Sequence, residues 1–259
     1  MPRAFTRAVS PRIADCELTH LERTPIDAVK AAHQHSRYEA ALRDAGLQIV
    51  RLPDLPDHPD AVFVEDTALL LDGHAIITNP GAASRVPETA STAAGLADHF
   101  SLLRMTGGQL DGGDVLRIGR TLYVGLSTRT DGEGIKALRG IAGKLGFDVV
   151  QAELKDCLHL KTAATLAGAH ESGSPVLLYN AASVDPEQFT GIEPLAVHPD
   201  EPNAANIVRA GRHLVLPAGN PRTAASLRER GFEIIEVDVS ELQKAEAGVT
   251  CMSLIESDD

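Results

Sequence analysis

Residues able to carry nucleophilic and proton-transfer chemistry recur along this chain at related intervals. Asp66 and Asp111 lie 45 residues apart, and 48 residues separate Asp111 from His159. The next step, from His159 to Cys251, is 92 residues, about twice that interval. A cysteine beside a base or a cation becomes a thiolate nucleophile, and a histidine transfers protons near neutral pH. Two carboxylates bind a planar cation through forked hydrogen bonds. Brought together, these groups predict sulfur attack on the electron-poor carbon of a guanidinium or an amidine.

Each of these residues also has a structural interpretation. Cys251 precedes an apolar tail and is compatible with a small buried side chain. His159 lies between two leucines and is compatible with a core histidine, while VFVED and LDGGD are compatible with strand-end turns in which aspartate binds backbone N–H groups. Cys157 and His159 have no second closely spaced ligand pair, so no metal site is predicted. The shared spacing favours the chemical interpretation.

The interval is also visible as a repeat in the sequence. DVLRIGRTLYVG from Asp114 and NIVRAGRHLVLPAG from Asn206 align without a gap at an offset of 92 residues. The identical pairs are Arg117 and Arg209, Gly119 and Gly211, Arg120 and Arg212, and Leu122 and Leu214. Half of that offset, about 46 residues, predicts a repeated structural unit that carries about one reactive group.

The predicted unit consists of two strands, a helix and a third strand. In the first unit, TALLLDGHAIIT forms two strands joined at Asp72-Gly73, followed by a helix over 87–99 and a strand over 100–105. Later helices are predicted over 131–145, briefly after Pro186, and over 221–230. A fifth unit is split, with CMSLI at the C-terminus and FTRAVS, a helix over 25–45 and LQIVRLP at the N-terminus. These units predict a closed ring in one domain over residues 1–259; an ordinary α/β sandwich is the alternative.

In such a ring, the loops that precede the first strand of each unit meet at one end, near the axis. They contain Glu65 and Asp66, Asp111 and Asp114, His159, Asn203 and Asn206, and Cys251. The sequence therefore predicts a carboxylate-rich pocket with one histidine and one cysteine.

Composition narrows the class of protein. The net charge of −12 provides no basic face for nucleic acid and is compatible with a cationic ligand. Three cysteines without paired spacing predict a reducing compartment rather than a disulfide framework. No segment reaches the length of about 20 apolar residues that spans a bilayer, and the N-terminus lacks a signal-peptide core. A soluble, cytoplasmic protein that does not bind membranes is expected.

At these residues the chain resembles the dimethylarginine dimethylaminohydrolase family of guanidine-modifying enzymes. The matching stretches occur in the family's order over nearly the whole chain: PDAVFVEDTAL, AIITNPGAASR, LDGGDVL, VGLSTRT, LHLK, AAN and VTCMSL. The resemblance implies an α/β fold, a five-bladed α/β propeller of ββαβ units with pseudo-fivefold symmetry. It also implies hydrolysis of Nω-methylated arginines to citrulline and a methylamine without a cofactor, by a monomer or a homodimer.

The resemblance further implies roles for individual residues. Cys251 would attack the guanidinium carbon, and His159 would protonate the departing amine and then activate water against an S-alkylthiouronium intermediate. Asp66 and Asp111 would hold the guanidinium nitrogens. The remaining implied contacts are Glu65 beside the guanidinium, Arg85 and Arg129 on the substrate carboxylate, and Asp60 with the carbonyls near Leu18 and Ala245 on the α-amino group.

One departure from the family pattern and three alternative functions remain. Glu246-Ala247 stands where the family usually has Asp-Gly, so the loop that carries Ala245 is expected to shift. An arginine deiminase and an amidinotransferase would use the same kinds of groups, but these relatives are usually longer. A methylarginine-binding protein without activity would not need the nucleophile.

Overall fold

The computed structural model describes residues 1–169 and 174–256. Its strands are β1 Arg3–Thr6, β2 Gln48–Arg51, β3 Ala68–Leu71, β4 His74–Ile77, β5 Ser101–Arg104, β6 Val115–Ile118, β7 Thr121–Gly125, β8 Asp148–Ala152, β9 Ala164–Ala169, β10 Pro175–Tyr179, β11 Glu193–Ala196, β12 Val208–Ala210, β13 His213–Pro217, β14 Glu233–Val237 and β15 Leu254–Ile255. The α-helices are α1 Ala28–Asp44, α2 Glu88–Leu96, α3 Gly132–Ala142, α4 Leu160–Ala163, α5 Pro221–Glu229 and α6 Ser240–Gln243.

The described strands form five three-stranded sheets with one common topology. In each, the middle strand pairs antiparallel with one neighbour and parallel with the other, as β4 does with β3 and β5. Units one to four are β3–β5, β6–β8, β9–β11 and β12–β14, and unit five combines β15 with β1 and β2. The chain ends therefore pair within one sheet, which confirms the split fifth unit and the five-bladed α/β propeller.

The repeated arginine and glycine of the sequence repeat close equivalent hairpins. Gly119 and Gly211 have left-handed φ values of 58° and 60° at the turns between the first two strands of units two and four. Arg117 Nε donates to the Gly119 carbonyl at 3.1 Å, and Arg209 Nε donates to the Gly211 carbonyl at 3.2 Å. The sequence repeat thus encodes one turn of the scaffold used twice. The predicted Asp72-Gly73 turn is also observed, with φ of 45° and 76°.

The predicted helices were right in position and too long at their ends. Helix α1 begins at Ala28 rather than near residue 25, because the Asp27 carboxylate accepts the N–H groups of Val29 and Lys30 and caps it. Helix α3 ends at Ala142, and a 3₁₀ turn leads to Gly146, whose φ of 78° ends the helical run. The helix predicted after Pro186 is only a 3₁₀ turn, Pro186–Gln188.

Short helical turns precede the first strand of every unit, and the sequence did not predict them. They are Val64–Thr67, Gly112–Asp114, α4, Pro202–Ala205 and Thr250–Met252. Cys251 therefore lies in a 3₁₀ turn, which corrects the prediction of a strand over CMSLI. Four of these turns, those of units one, two, three and five, place the reactive residues at one end of the ring.

The hydrophobic core is divided among the units. Leu122, Val124 and Leu138 pack between the second sheet and α3, and the other units have equivalent clusters. No helix among the described residues is long and apolar enough to cross a membrane.

Candidate active site

One pocket at the end of the ring contains most of the sequence-predicted site residues. It is lined by Asp60, Asp66, Arg85, Asp111, Arg129, His159, Ala245 and Cys251, together with Glu17, Phe63, Leu158, Glu246 and Ala247. The turns of three neighbouring units and the C-terminal turn thus bring the carboxylates, the histidine and the thiol together, as their spacing predicted.

His159 lies between two of these carboxylates. Its Nε2 donates to Asp111 Oδ2 at 3.0 Å, and its Nδ1 is 3.9 Å from Asp66 Oδ1. Burial lowers the imidazole pKa, but Asp66, Asp111 and Asp114 outweigh it and raise the pKa to about 9. The histidine is therefore a cation at neutral pH and a proton donor in the pocket.

The two glycines of LDGGD make this arrangement possible. A Cβ on Gly113 would lie 2.7 Å from His159 Nδ1 and 2.8 Å from Asp66 Oδ1. A Cβ on Gly112 would collide with the backbone carbonyl of Glu65. The backbone of unit two therefore touches the side chains of its neighbours, and only glycine permits that approach.

Cys251 is buried at the base of the pocket, where its Sγ accepts the Gly248 N–H at 3.4 Å. Burial and the nearby charges of Glu65 and Asp66 raise the pKa of the thiol, against a weaker opposing effect of Lys161. Without a further cation the thiol is held in its protonated form.

The structure places Glu65 behind the pocket rather than in its wall. Its carboxylate pairs with Lys161 Nζ at 2.6 Å and accepts the Thr250 hydroxyl at 2.7 Å. Both Glu65 and Lys161 line a second, larger cavity, which is bordered by the first strands of all five units. Lys161 was not predicted from the sequence, although it is the last residue of the LHLK motif and its only lysine.

Arg85 lines the pocket with its guanidinium already bonded to protein oxygens. Nη1 contacts Asp66 Oδ2 at 2.5 Å, Nη2 contacts Glu88 Oε2 at 2.9 Å, and Nη2 also donates to the Phe63 carbonyl at 2.7 Å. Burial alone would lower the pKa of this guanidinium, but the charges of Glu88 and Asp66 have the larger effect and raise it above its ordinary value. In this arrangement Arg85 orients Asp66, whose own pKa is lowered by His159 and Arg85 despite its burial.

The residues expected to hold the amino-acid end lie at the mouth of the pocket. Both oxygens of Asp60 accept the Glu17 N–H at 3.2 Å, and burial raises the pKa of this carboxyl to about 6. Arg129 Nη2 donates to the Thr19 hydroxyl at 2.9 Å. Leu18 lies between these contacts and is half-buried against the core, outside the pocket wall.

Glu246 fastens the segment 19–21 beside Ala245. Its carboxylate accepts the backbone N–H groups of Thr19 at 3.0 Å, His20 at 2.6 Å and Leu21 at 2.5 Å. Glu246 itself has a left-handed φ of 60°, a conformation that an Asp or Gly adopts more readily. Glu246 therefore occupies a left-handed turn position and gives the segment a three-donor anchor, while the expected shift of the loop relative to the family stays a prediction.

The two remaining cysteines lie outside the pocket, and the one group of described residues that could hold a metal ion is already hydrogen-bonded within itself. Cys157 packs in the core between units two and three, and Cys16 is buried under α1. One ligand atom each from Asp66, Asp111 and His159 lies within 4.8 Å of the others, close enough for a metal ion. The histidine nitrogens in this group already face the two carboxylates, which act as their hydrogen-bond and charge partners.

Comparisons with known proteins identify similar molecules. The family model described as "N,N dimethylarginine dimethylhydrolase, eukaryotic" matches residues 19–164. N(G),N(G)-dimethylarginine dimethylaminohydrolase of Streptomyces coelicolor is 37% identical over 97% of this chain and 96% of its own length. The structure of the Pseudomonas aeruginosa dimethylarginine dimethylaminohydrolase, a mutant complexed with citrulline, has a TM-score of 0.89 and 32% identity, covering 99% of this chain and 100% of that one. A dimethylarginine dimethylaminohydrolase adduct with S-methyl-L-thiocitrulline has a TM-score of 0.89 and 31% identity, with the same coverage.

Proposed function

The chain belongs to the dimethylarginine dimethylaminohydrolase family of hydrolases, and we propose that it converts Nω-methylated L-arginines to L-citrulline and a methylamine through Cys251. The observation that carries this proposal is the arrangement of Cys251, the cationic His159 and two buried carboxylates in one pocket. The relatives in complex with citrulline and S-methyl-L-thiocitrulline support an amino-acid ligand for this pocket.

The proposed reaction begins with binding of the guanidinium between Asp66 and Asp111. The added positive charge offsets the carboxylates that raise the thiol pKa, and Cys251 releases its proton to water, since His159 is already protonated. The thiolate Sγ then forms a bond to the guanidinium carbon. His159 gives its proton to the methylated nitrogen, and the carbon–nitrogen bond breaks to release the methylamine. An S-alkylthiouronium remains on Cys251.

Hydrolysis of this intermediate reuses the same groups. Neutral His159 accepts a proton from water while the water oxygen bonds to the carbon. The carbon–sulfur bond then breaks with its electrons on the sulfur, the hydroxyl proton passes to that sulfur as the carbonyl forms, and citrulline leaves the regenerated Cys251 thiol. At the mouth, Asp60 and the carbonyls near Leu18 and Ala245 bind the α-ammonium group, and Arg129 binds the carboxylate. Glu65 lies behind Cys251 and contributes to the raised pKa of the thiol. Arg85 orients Asp66 through the ion pair between them.

A ureido colour assay for citrulline tests the proposal. Asymmetric dimethylarginine, monomethylarginine and arginine are supplied in parallel to the wild-type chain and to Cys251→Ser. Citrulline from the methylated substrates, abolished in the variant, is expected. No citrulline from them would refute the function, and a strong preference for arginine would make the protein a deiminase. Activity surviving in Cys251→Ser would refute the nucleophile.

The cytoplasmic location stays a prediction. Cys16, Cys157 and Cys251 are free thiols, which is compatible with a reducing compartment.

A further inference from the structure

The five units are tied to one another by side chains of the turns that surround the pocket. Asp66 Oδ1 accepts the Gly113 N–H at 3.1 Å, which joins units one and two. Thr165 Oγ1 accepts the Ile207 N–H at 3.2 Å, which joins units three and four. The Thr250 hydroxyl donates to Glu65, which joins units five and one. The two remaining boundaries contain the residues that open the sequence repeat.

Asp114 ties unit two to the turn that carries His159. It is fully buried, and its Oδ1 accepts the N–H of Leu160, the residue after His159, at 3.0 Å. Its Oδ2 accepts the Ser127 hydroxyl at 2.6 Å, and Ser127 Oγ in turn accepts the Arg129 N–H at 3.0 Å. One carboxylate thus holds both the backbone at the histidine and the loop of Arg129.

Asn206 ties unit four to the turn that carries Cys251. It is buried, and its Oδ1 accepts the N–H of Thr250, the residue before Cys251, at 3.0 Å. Its Nδ2 donates to the Thr250 hydroxyl at 2.9 Å and to the Lys161 carbonyl at 2.8 Å. A Cβ on Gly248 would collide with this amide, so the backbone packs directly against it.

We propose that Asp114 and Asn206 are equivalent positioning residues for the reaction. Each opens one copy of the sequence repeat, and each binds the backbone N–H beside the reactive residue of the following unit. Neither lines the pocket. Asp114 sets the position of His159 as proton donor, and Asn206 sets the position of Cys251 as nucleophile. This inference rests on the proposed function and adds two residues to its machinery.

Asp114 and Asn206 differ in charge, so their removal is expected to affect the pKa of His159 differently. The carboxylate of Asp114 contributes to the raised pKa of His159, which also faces Asp66 and Asp111 and shares the pocket with Cys251. Asn206 is neutral. Removing Asp114 therefore lowers the His159 pKa, whereas removing Asn206 leaves it unchanged.

Kinetics of Asp114→Ala and Asn206→Ala test the proposal with citrulline as the readout. Because a displacement approaching 1 Å costs roughly 100-fold, kcat is expected to fall roughly 10- to 100-fold in both. Asp114→Asn and Asn206→Asp keep an oxygen for the N–H and are expected to recover part of kcat. Asn220→Ala is the control, since Asn220 is also a buried polar residue whose side chain binds a backbone group, the Pro217 carbonyl at 2.8 Å, outside the pocket. Equal kcat values in the control and the two alanine variants would overturn the proposal, as would no recovery in Asp114→Asn and Asn206→Asp.

Two readouts that need no turnover separate this proposal from the proposed function. NMR titration of the His159 imidazole is expected to show a lower pKa in Asp114→Ala and an unchanged one in Asn206→Ala. The rate of iodoacetamide reaction at Cys251 is expected to change in Asn206→Ala and not in the control Asn220→Ala. An inactive wild type with these shifts present would refute the function and retain the positioning roles. An active wild type without them would refute the positioning roles alone.

Discussion

The close approach of Gly113 to the histidine and aspartate of the pocket makes Gly113→Ala a sharp test of the site geometry. The new Cβ would lie 2.7 Å from His159 Nδ1 and 2.8 Å from Asp66 Oδ1, whereas ordinary contacts begin at 3.4 Å. Gly113 does not have a positive φ, so the alanine meets a steric problem and no backbone strain. The side chains must therefore move apart by about 0.7 Å.

That displacement acts on the proton donor and on the guanidinium partner at once. Because a misplacement of about 1 Å can cost roughly 100-fold in rate, kcat is expected to fall roughly 10- to 100-fold. This corresponds to about 1.4 to 2.7 kcal/mol in the activation free energy. Overpacking also lowers the free energy of unfolding by about 1 to 3 kcal/mol, which thermal denaturation measures independently.

The assay is steady-state production of citrulline from asymmetric dimethylarginine by wild type, Gly113→Ala and Gly132→Ala. Gly132 is the matched control, since a Cβ there would have no neighbour within 4 Å and its φ is not positive. The control is expected to keep the wild-type kcat. A kcat for Gly113→Ala within threefold of wild type would refute the view that the spacing of His159 and Asp66 limits the reaction.

Three further predictions concern charge at the pocket. Because burial and carboxylates raise the thiol pKa, iodoacetamide should alkylate Cys251 slowly at pH 7 and faster when guanidinium chloride is added in small amounts; a labelling rate that is constant from pH 7 to 9 would contradict this. Because the Asp60 pKa lies at about 6, this carboxyl gains a proton as the pH falls through that value, and KM should rise below it; Asp60→Asn should lose this pH dependence. Glu246→Gln weakens the anchor of segment 19–21, so KM should rise about threefold to tenfold, with faster proteolysis at that segment; an equal effect of the exposed Glu229→Gln would assign it to net charge instead.

The fold could be predicted because one unit is repeated and its turn residues are visible in the sequence. The pair Arg117 and Gly119 recurs as Arg209 and Gly211, and in both cases the arginine binds the carbonyl of a glycine in the left-handed conformation. The split fifth unit followed by completion of the ring. The helical turns before each first strand could not be predicted, because each has only three or four residues and no periodicity to detect.

The residues of the site could be predicted from the sequence, but the contacts between them could not. Spacing and family resemblance identified Asp66, Asp111, His159 and Cys251, which the structure brings into one pocket. The pairing of Lys161 with Glu65 depends on the distance between two units, which no local pattern contains. The ion pair of Arg85 with Asp66 joins two segments of one unit, and it depends on the path of the chain after β4.

These contacts explain how one substrate cation can change the pKa values of both reactive groups, His159 and Cys251. The pKa values of His159 and Cys251 are raised by an overlapping set of carboxylates, with Asp66 acting on both. A guanidinium bound to Asp66 and Asp111 reduces the negative field at each group, so both pKa values fall. For the thiol this favours the nucleophilic thiolate, and for the imidazolium it brings a pKa of about 9 towards neutral, where a proton donor is most effective. In the substrate-free protein the histidine itself serves as the cation between the carboxylates. We therefore propose that the acidic pocket keeps the Cys251 thiol protonated until a cation of the right shape binds, and that the charge which binds the substrate also lowers the pKa of the thiol.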